Sequence, residues 1–289
     1  MEDFYLAYQS LIAFVGINAL LALSVYATLS CGQLSLANAG FMAIGAYTGA
    51  LITLHAPQVP FGLVLFISAI LPAIIAVPLG LPVLRLRGVF LAIATIGFGE
   101  VVRLAFVNWD FTNGALGLVA IPQRTQPWIL WLMVAVVIFV LARLRGSRTG
   151  YALEAIREDE TAARTMGIET TRYKMAMLAL GAAIAGLAGA LEAHFTFIVS
   201  PAGYGFGRVV DMLVQAVVGG TAMFFGPVLG AAFLTLLPEI LREIGARIGL
   251  APGPFRLFLN GVILLVVILY LPEGIISLPQ RPRRRKKAA

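Results

Sequence analysis

Apolar residues run along this chain in long blocks with short polar punctuation. Residues 6–29 form the first block, interrupted only by Asn18 and small polar residues. About 20 mainly apolar residues suffice to cross a bilayer as a helix, so this block predicts a span. A polar, small-residue run follows (30–40, SCGQLSLANAG), and the apolar pattern resumes over 41–54. The spacing predicts a second segment that starts near Leu34 and carries polar groups in its first turns. Residues 61–84 predict a third span, kinked or broken by Pro72, Pro78 and Pro82, because proline removes a backbone donor and crowds the preceding turn. A basic turn, Arg85-Leu86-Arg87-Gly88, leads to a fourth span over 89–107. Residues 108–127 read as a loop holding Asn113-Gly114 and Gly117, with Trp109 and Trp128 at its ends as interfacial anchors. The fifth and sixth spans are predicted over 128–144 and 173–199. Residues 209–218 and 225–237 are each short for a crossing and are joined through Gly219-Gly220-Thr221 and Gly226-Pro227, which predicts a discontinuous or re-entrant pair. A charged loop over 238–254 and a last span over 257–276 complete the pattern.

Between the fifth and sixth spans lies a stretch of another kind, residues 151–170, YALEAIREDETAARTMGIET. It carries the acids Glu154, Glu158, Asp159, Glu160 and Glu169 with the arginines Arg157 and Arg164. Leu153, Ile156, Ala163 and Met166 recur at helical spacing, so the pattern predicts one charged helix with a modest apolar stripe. Gly150 and Gly167 are its expected boundaries. Set between two spans, such a helix lies in water and suits the docking of a partner.

Composition agrees with the pattern. Of 289 residues, 60% are hydrophobic and only 12% charged, where a soluble domain carries about a quarter. The surplus apolar surface must face lipid. The expectation is an all-α polytopic membrane protein with roughly 8–10 transmembrane helices, some broken or re-entrant. They form a single transmembrane domain over 1–280, followed by a basic tail over 281–289. The net charge of +7 is concentrated in that tail (Arg281, Arg283, Arg284, Arg285, Lys286, Lys287) and between Arg143 and Lys174. This is the distribution of cytoplasmic loops that also meet anionic lipid, and it argues against a nucleic-acid partner. Alternation of spans then puts Arg85 and Arg87 inside, the N-terminus outside and the C-terminus inside. Glu2 and Asp3 replace the basic residues of a signal peptide, so the first block reads as an uncleaved span. Cys31 is the only cysteine, which excludes an intrachain disulfide.

Catalytic chemistry is poorly represented. His55 and His194 are the two histidines, no HExxH occurs, and no lysine follows a glycine, so the GxxxxGK[ST] phosphate cradle is missing. The chain is expected to bind no cofactor of its own and not to be an enzyme. The run LSCGQ (29–33) mimics an ABC nucleotide-binding signature, but it ends an apolar span and reads as coincidence. Ionisable groups inside spans are better candidates, since burying a charge in lipid costs at least ~2.5 kcal/mol. Glu100 and Arg103 sit three apart and can pair, either as a structural pair near the outer interface or along a solute path. Glu192 and His194 are expected near the outer end of the sixth span, within reach of headgroup water, and Asp211 as a cap opening its segment. Asn18, Gln33, Asn38, Thr95 and Gln215 can hydrogen-bond a neighbouring helix or, for a subset, a solute. The candidate path is thus Asn38, Thr95, Glu100, Arg103 and Gln215. Small residues four apart, Gly45/Gly49, Gly181/Ala185/Gly189, Ala182/Gly186/Ala190 and Gly226/Gly230, predict close helix packing.

Several runs together resemble the permease subunits of branched-chain amino acid ABC importers, in the LivM-like branch. They are GQLSLANAGFMAIGAYTGAL (32–51), RLRGVFLAIATIGFGEVVRL (85–104), NGALGLVAIP (113–122), ALEAIREDETAARTMGIETTRYK (152–174), LGAAIAGLAGAL (180–191) and GGTAMFFGPVLGAAFLTLLPEILRE (219–243). The resemblance implies an ABC importer permease fold in a bacterial inner membrane, working by alternating access. It also implies a second homologous permease, two cytoplasmic ATP-binding subunits that use ATP and Mg, and a periplasmic or extracellular solute-binding protein. Ala162, Ala163 and Gly167 fall on the EAAxxxG loop that meets the ATPase in such importers, which makes Glu154, Arg157, Glu160, Ala162, Ala163 and Gly167 the expected docking set. Thr161 stands where the motif has glutamate, with Glu160 beside it. Ala37-Asn38 stands where relatives often have Gly-His. Urea and short-amide permeases share the pattern. Permeases for sugars or nucleosides and an ATP-independent secondary transporter are the alternatives.

Overall fold

The computed structural model describes residues 2–86, 88–221 and 223–248. The expected last span, the basic tail and Arg87 lie outside them. The described chain folds as α1 (Glu2–Leu29), α2 (Asn38–His55), α3 (Phe61–Val83), α4 (Val89–Asn108), α5 (Pro127–Arg145), α6 (Arg148–Glu158), α7 (Glu160–Thr165), α8 (Thr170–Thr196), α9 (Phe206–Gly219) and α10 (Phe225–Ile248). Among the described residues all regular structure is helical, apart from one isolated antiparallel bridge between Leu118 and Val199. Among the described residues, five helices are long and apolar enough to cross a membrane: α1 from Tyr8, α3, α4, α5 and α8.

These five are not equivalent. Of their most apolar windows, 78% of residues in α1 and 61% in α8 are buried, against 28% in α3, 28% in α4 and 22% in α5. So α1 and α8 form the centre with α2, while the other three present apolar flanks such as Phe66, Ile74, Phe90, Ile93 and Phe139 outward. Glycine makes the centre possible. A Cβ on Gly45 would fall onto the Gly186 backbone, one on Gly189 onto the Met42 carbonyl, and one on Gly181 against the Ser24 carbonyl. Gly49 lies against Ala190, Ser68 and His194. Helix axes this close are the main source of packing energy where lipid removes the hydrophobic drive between helices.

Connections at the two ends of the bundle differ. At one end Arg124 donates to the carbonyls of Val59 (3.0 Å) and Pro57 (2.6 Å), and the Leu118–Val199 bridge ties the α4–α5 loop to the chain leaving α8. At the other end the Leu36 amide donates to Thr95 Oγ1 at 2.9 Å, and Gly32 packs beside Arg157. The loops thus sort to two opposite ends of the bundle.

Four elements differ from expectation. The second segment begins at Asn38, not near Leu34, because Gly32 takes a left-handed φ of +74° and residues 33–36 stay extended enough to reach Thr95. Helix α3 runs unbroken through Pro72, Pro78 and Pro82; Pro72 packs on Gly186 of α8, and such neighbouring helices support proline inside membrane helices. Helix α10 continues through Pro238 to Ile248, where a loop was expected from residue 238. Helix α9 begins at Phe206, so Asp211 lies inside it and caps nothing. At 14 residues α9 is about 21 Å long, short of the ~30 Å hydrocarbon core, and Gly220 (φ +97°) turns the chain back into α10.

Candidate functional site

The charged stretch between the fifth and sixth spans is two helices, not one. Ser147 opens α6, its Oγ accepting from the Gly150 amide at 3.4 Å, so the helix starts before Gly150. Asp159 breaks it. At φ −153°, ψ 107° its backbone is extended, and its Oδ1 accepts from the Thr161 and Ala162 amides at 2.8 and 3.0 Å, capping α7. Aspartate is among the preferred N-cap residues because its carboxylate satisfies amides that have no partner in the first turn. The break redirects the apolar stripe. Leu153, Ile156 and Ala163 are buried, whereas Met166, the fourth expected member, is 82% exposed.

A polar staple holds α7 to α8. Glu160 sets Oε2 against Lys174 Nζ at 2.7 Å, while its Oε1 accepts from Arg164 Nη2 (3.1 Å) and from the buried Thr170 hydroxyl (3.3 Å). Arg164 also donates to Thr170 Oγ1 at 3.1 Å. The expected docking residues therefore divide. Glu154, Ala162 and Gly167 are exposed; Gly167 has φ +84° and open space around its Cα. Arg157 is exposed and makes long contacts, 3.4 and 3.5 Å, with the Thr221 carbonyl and hydroxyl at the α9–α10 turn. Glu160 and Ala163 face protein. Tyr151 and Met166 extend the exposed surface with two large apolar side chains.

The polar groups within the bundle are dispersed. Asn38 is buried and donates through Nδ2 to Ser24 Oγ of α1 at 2.8 Å. Thr95 is buried and receives the Leu36 amide. Both hold elements together. Arg103 Nε donates to the two Glu100 oxygens at 2.9 and 3.0 Å, closing the anticipated pair on a partly exposed face of α4. Gln215 lines a large groove between α1, α9 and α10. Asn18, on the same groove, donates to Thr235 Oγ1 at 2.9 Å.

The family profile described as branched-chain amino acid transport system / permease component matches residues 7–268. The chain belongs to this family. Its permease relatives include the "High-affinity branched-chain amino acid transport system permease protein LivM" of Salmonella typhimurium, 31% identical over 309 aligned residues, with 95% of this chain and 69% of that protein covered. LivM of Escherichia coli K12 is similar to the same degree, 31% over 310 residues with the same coverage. LivH of that strain, carrying the same system name, is 27% identical over 191 residues, 64% of this chain and 58% of that one. The protein is thus a multi-pass membrane permease of this family.

Two arrangements in the permease were not legible in its sequence. Glu192 was expected to reach headgroup water. It instead accepts Arg208 Nη2 on both oxygens, at 2.9 and 3.0 Å, joining α8 to α9. His194 was expected beside it in the same water. It is fully buried, its Nε2 2.8 Å from Thr53 Oγ1 and its Nδ1 2.7 Å from the Ala190 carbonyl, joining α8 to α2. Pairs 16 and 141 residues apart leave no local spacing signal.

Proposed function

We propose that this permease imports branched-chain or other hydrophobic amino acids by alternating access, driven by ATP hydrolysis on separate subunits. The α6–Asp159–α7 hairpin is the surface that receives the ATPase. Glu154, Ala162, Met166 and Gly167 face the partner, and the Glu160–Lys174 contact passes its movement to the first turns of α8. The observation that carries this reading is the combination of exposed and anchored faces on one short hairpin: an outer surface open for docking and an inner one stapled to the most buried long helix after α1. On this reading residues 145–172 and the C-terminal tail are cytoplasmic and the membrane is a bacterial inner membrane. The assembly has a second permease, two ATP-binding subunits with their ATP and Mg, and an extracytoplasmic binding protein. Two relatives of one system name in E. coli, LivM and LivH, support the paired permease.

The test is Ala162→Arg in the complex purified through a tag on this chain. Expected are normal membrane insertion, loss of the copurifying ATPase and loss of ATP-dependent leucine uptake. Retention of both ATPase and uptake would refute the docking role. Labelling of Glu158→Cys from the outside of intact cells would refute the orientation.

A further inference from the structure

The groove between α1, α9 and α10 has a volume of ≈ 570 Å³, within the range of about 300–1,000 Å³ typical of small-molecule clefts. One wall is a polar stripe on α9. Arg208, Asp211 and Gln215 are spaced three and four apart, which aligns them on one helix face, and all three line the groove. The facing walls are mixed: Phe14 of α1 and Leu234 of α10 supply apolar surface, beside the Asn18–Thr235 pair and the acid Glu239. Charged side chains turned to a cavity inside a membrane domain are functional candidates, because lipid penalises them unless something uses them.

Two of the three have unmet bonding capacity. Gln215 is 7% exposed and its Oε1 has no hydrogen-bond partner. Arg208 directs Nη2 to Glu192, while its buried Nε has no partner. Glu192 fixes the guanidinium at the groove edge, and the exposed Asp211 presents a carboxylate one turn further along α9. A plain anion entering would meet Asp211, Glu192 and Glu239, and a plain cation would meet Arg208. A small molecule bearing both signs and an aliphatic tail satisfies the stripe and the apolar surface of Phe14 and Leu234 together. The groove's Arg208 end adjoins Glu192 near the end of α8, about 27 Å along that helix from Lys174 and the α7 staple. That end therefore lies on the side opposite the hairpin.

We infer that this groove is the outward-opening solute chamber of the permease, with Arg208 receiving the carboxylate and Asp211 the ammonium of a zwitterionic aliphatic amino acid. The inference rests on the amino acid import proposed above. It places the solute at α9, away from Asn38, Thr95 and the Glu100–Arg103 pair.

The test uses Val214→Cys in the intact transport complex, since Val214 lines the groove between Asp211 and Gln215. A membrane-impermeant methanethiosulfonate added from outside is expected to modify Cys at this position. L-leucine should slow modification at least about tenfold, while 4-methylvalerate, which lacks the ammonium, should not. Adding Asp211→Asn should raise the leucine concentration for half-protection about tenfold, with protection taken relative to the unprotected rate of that same variant. Absence of modification from outside overturns the chamber, since the groove is then closed by lipid or by the rest of the chain. Modification that leucine does not slow, or leucine protection unaltered by Asp211→Asn, overturns it as well. If ATP-dependent leucine uptake persists in those cases, the import reading survives; if the unaltered complex takes up no leucine, both fall.

Discussion

Replacing Glu160 by alanine isolates the link between the hairpin and the bundle. Its side chain is 22% exposed and that of its partner Lys174 is 14% exposed, so their 2.7 Å contact is shielded from water. Removing the carboxylate leaves the Lys174 ammonium without that acceptor and takes one partner from the buried Thr170 hydroxyl. Hydrogen bonds to charged groups contribute about 1.5–3 kcal/mol, and about 2 kcal/mol is a fair value for this shielded contact. At 1.4 kcal/mol per decade, the undocked population of α7 should rise about 30-fold. Arg164 provides the control. Its side chain is 57% exposed, and exposed pairs contribute about 0–1 kcal/mol. Amide hydrogen exchange over residues 160–166, in the chain reconstituted in nanodiscs, reads the difference. Exchange should accelerate about 30-fold in Glu160→Ala and only a few-fold in Arg164→Ala, with α5 unchanged. Equal exchange in the two variants would refute the assignment of the staple to the Glu160–Lys174 contact.

Asp159→Ala should lose about 1 kcal/mol of helix start and speed exchange at Thr161 and Ala162 about fivefold, while Asp159→Asn restores most of the protection. Gly45→Ala places a methyl group on the Gly186 backbone and should lower the thermal midpoint in detergent, overpacking costing about 1–3 kcal/mol. Gly97→Ala, with nothing within 4 Å of its Cβ, should leave the midpoint unchanged or raise it, since alanine favours helix by up to about 1 kcal/mol. Cys31 lies in the α1–α2 connection, where burial pushes its thiol up to about 12. Thiolate at pH 8 is then about one part in ten thousand, and its share grows only as pH rises toward that value. Maleimide should modify Cys31 immeasurably slowly in the folded chain at pH 7–8 and rapidly in dodecyl sulfate; fast native labelling would refute the burial.

Much of the architecture was readable because lipid permits so few solutions. A run such as residues 61–84, with no charge, or 128–144, whose one charge (Arg143) sits at its end, has no soluble alternative to a helix that satisfies its own backbone. The position of Gly45, Gly49, Gly181 and Gly189 on helix-contact faces follows from residues four apart sharing a side. The break at Asp159 was harder to see. Its neighbours Arg157, Glu158 and Glu160 all favour helix, and the one contrary sign was aspartate's preference for the cap over the helix interior.

Most helices, their order and the charged segment between the fifth and sixth spans came from the linear pattern, since hydrophobic length and charge are properties of contiguous residues. Partner choice did not. Glu160 with Lys174, Glu192 with Arg208, and Thr53 with His194 meet only when α7, α8, α9 and α2 are packed. The candidate path divided for the same reason: Asn38 and Thr95 turned to neighbouring elements, while Gln215 turned to a groove. A polar side chain in a membrane bundle takes whichever acceptor the packing brings within about 3 Å, and that choice exists only in three dimensions.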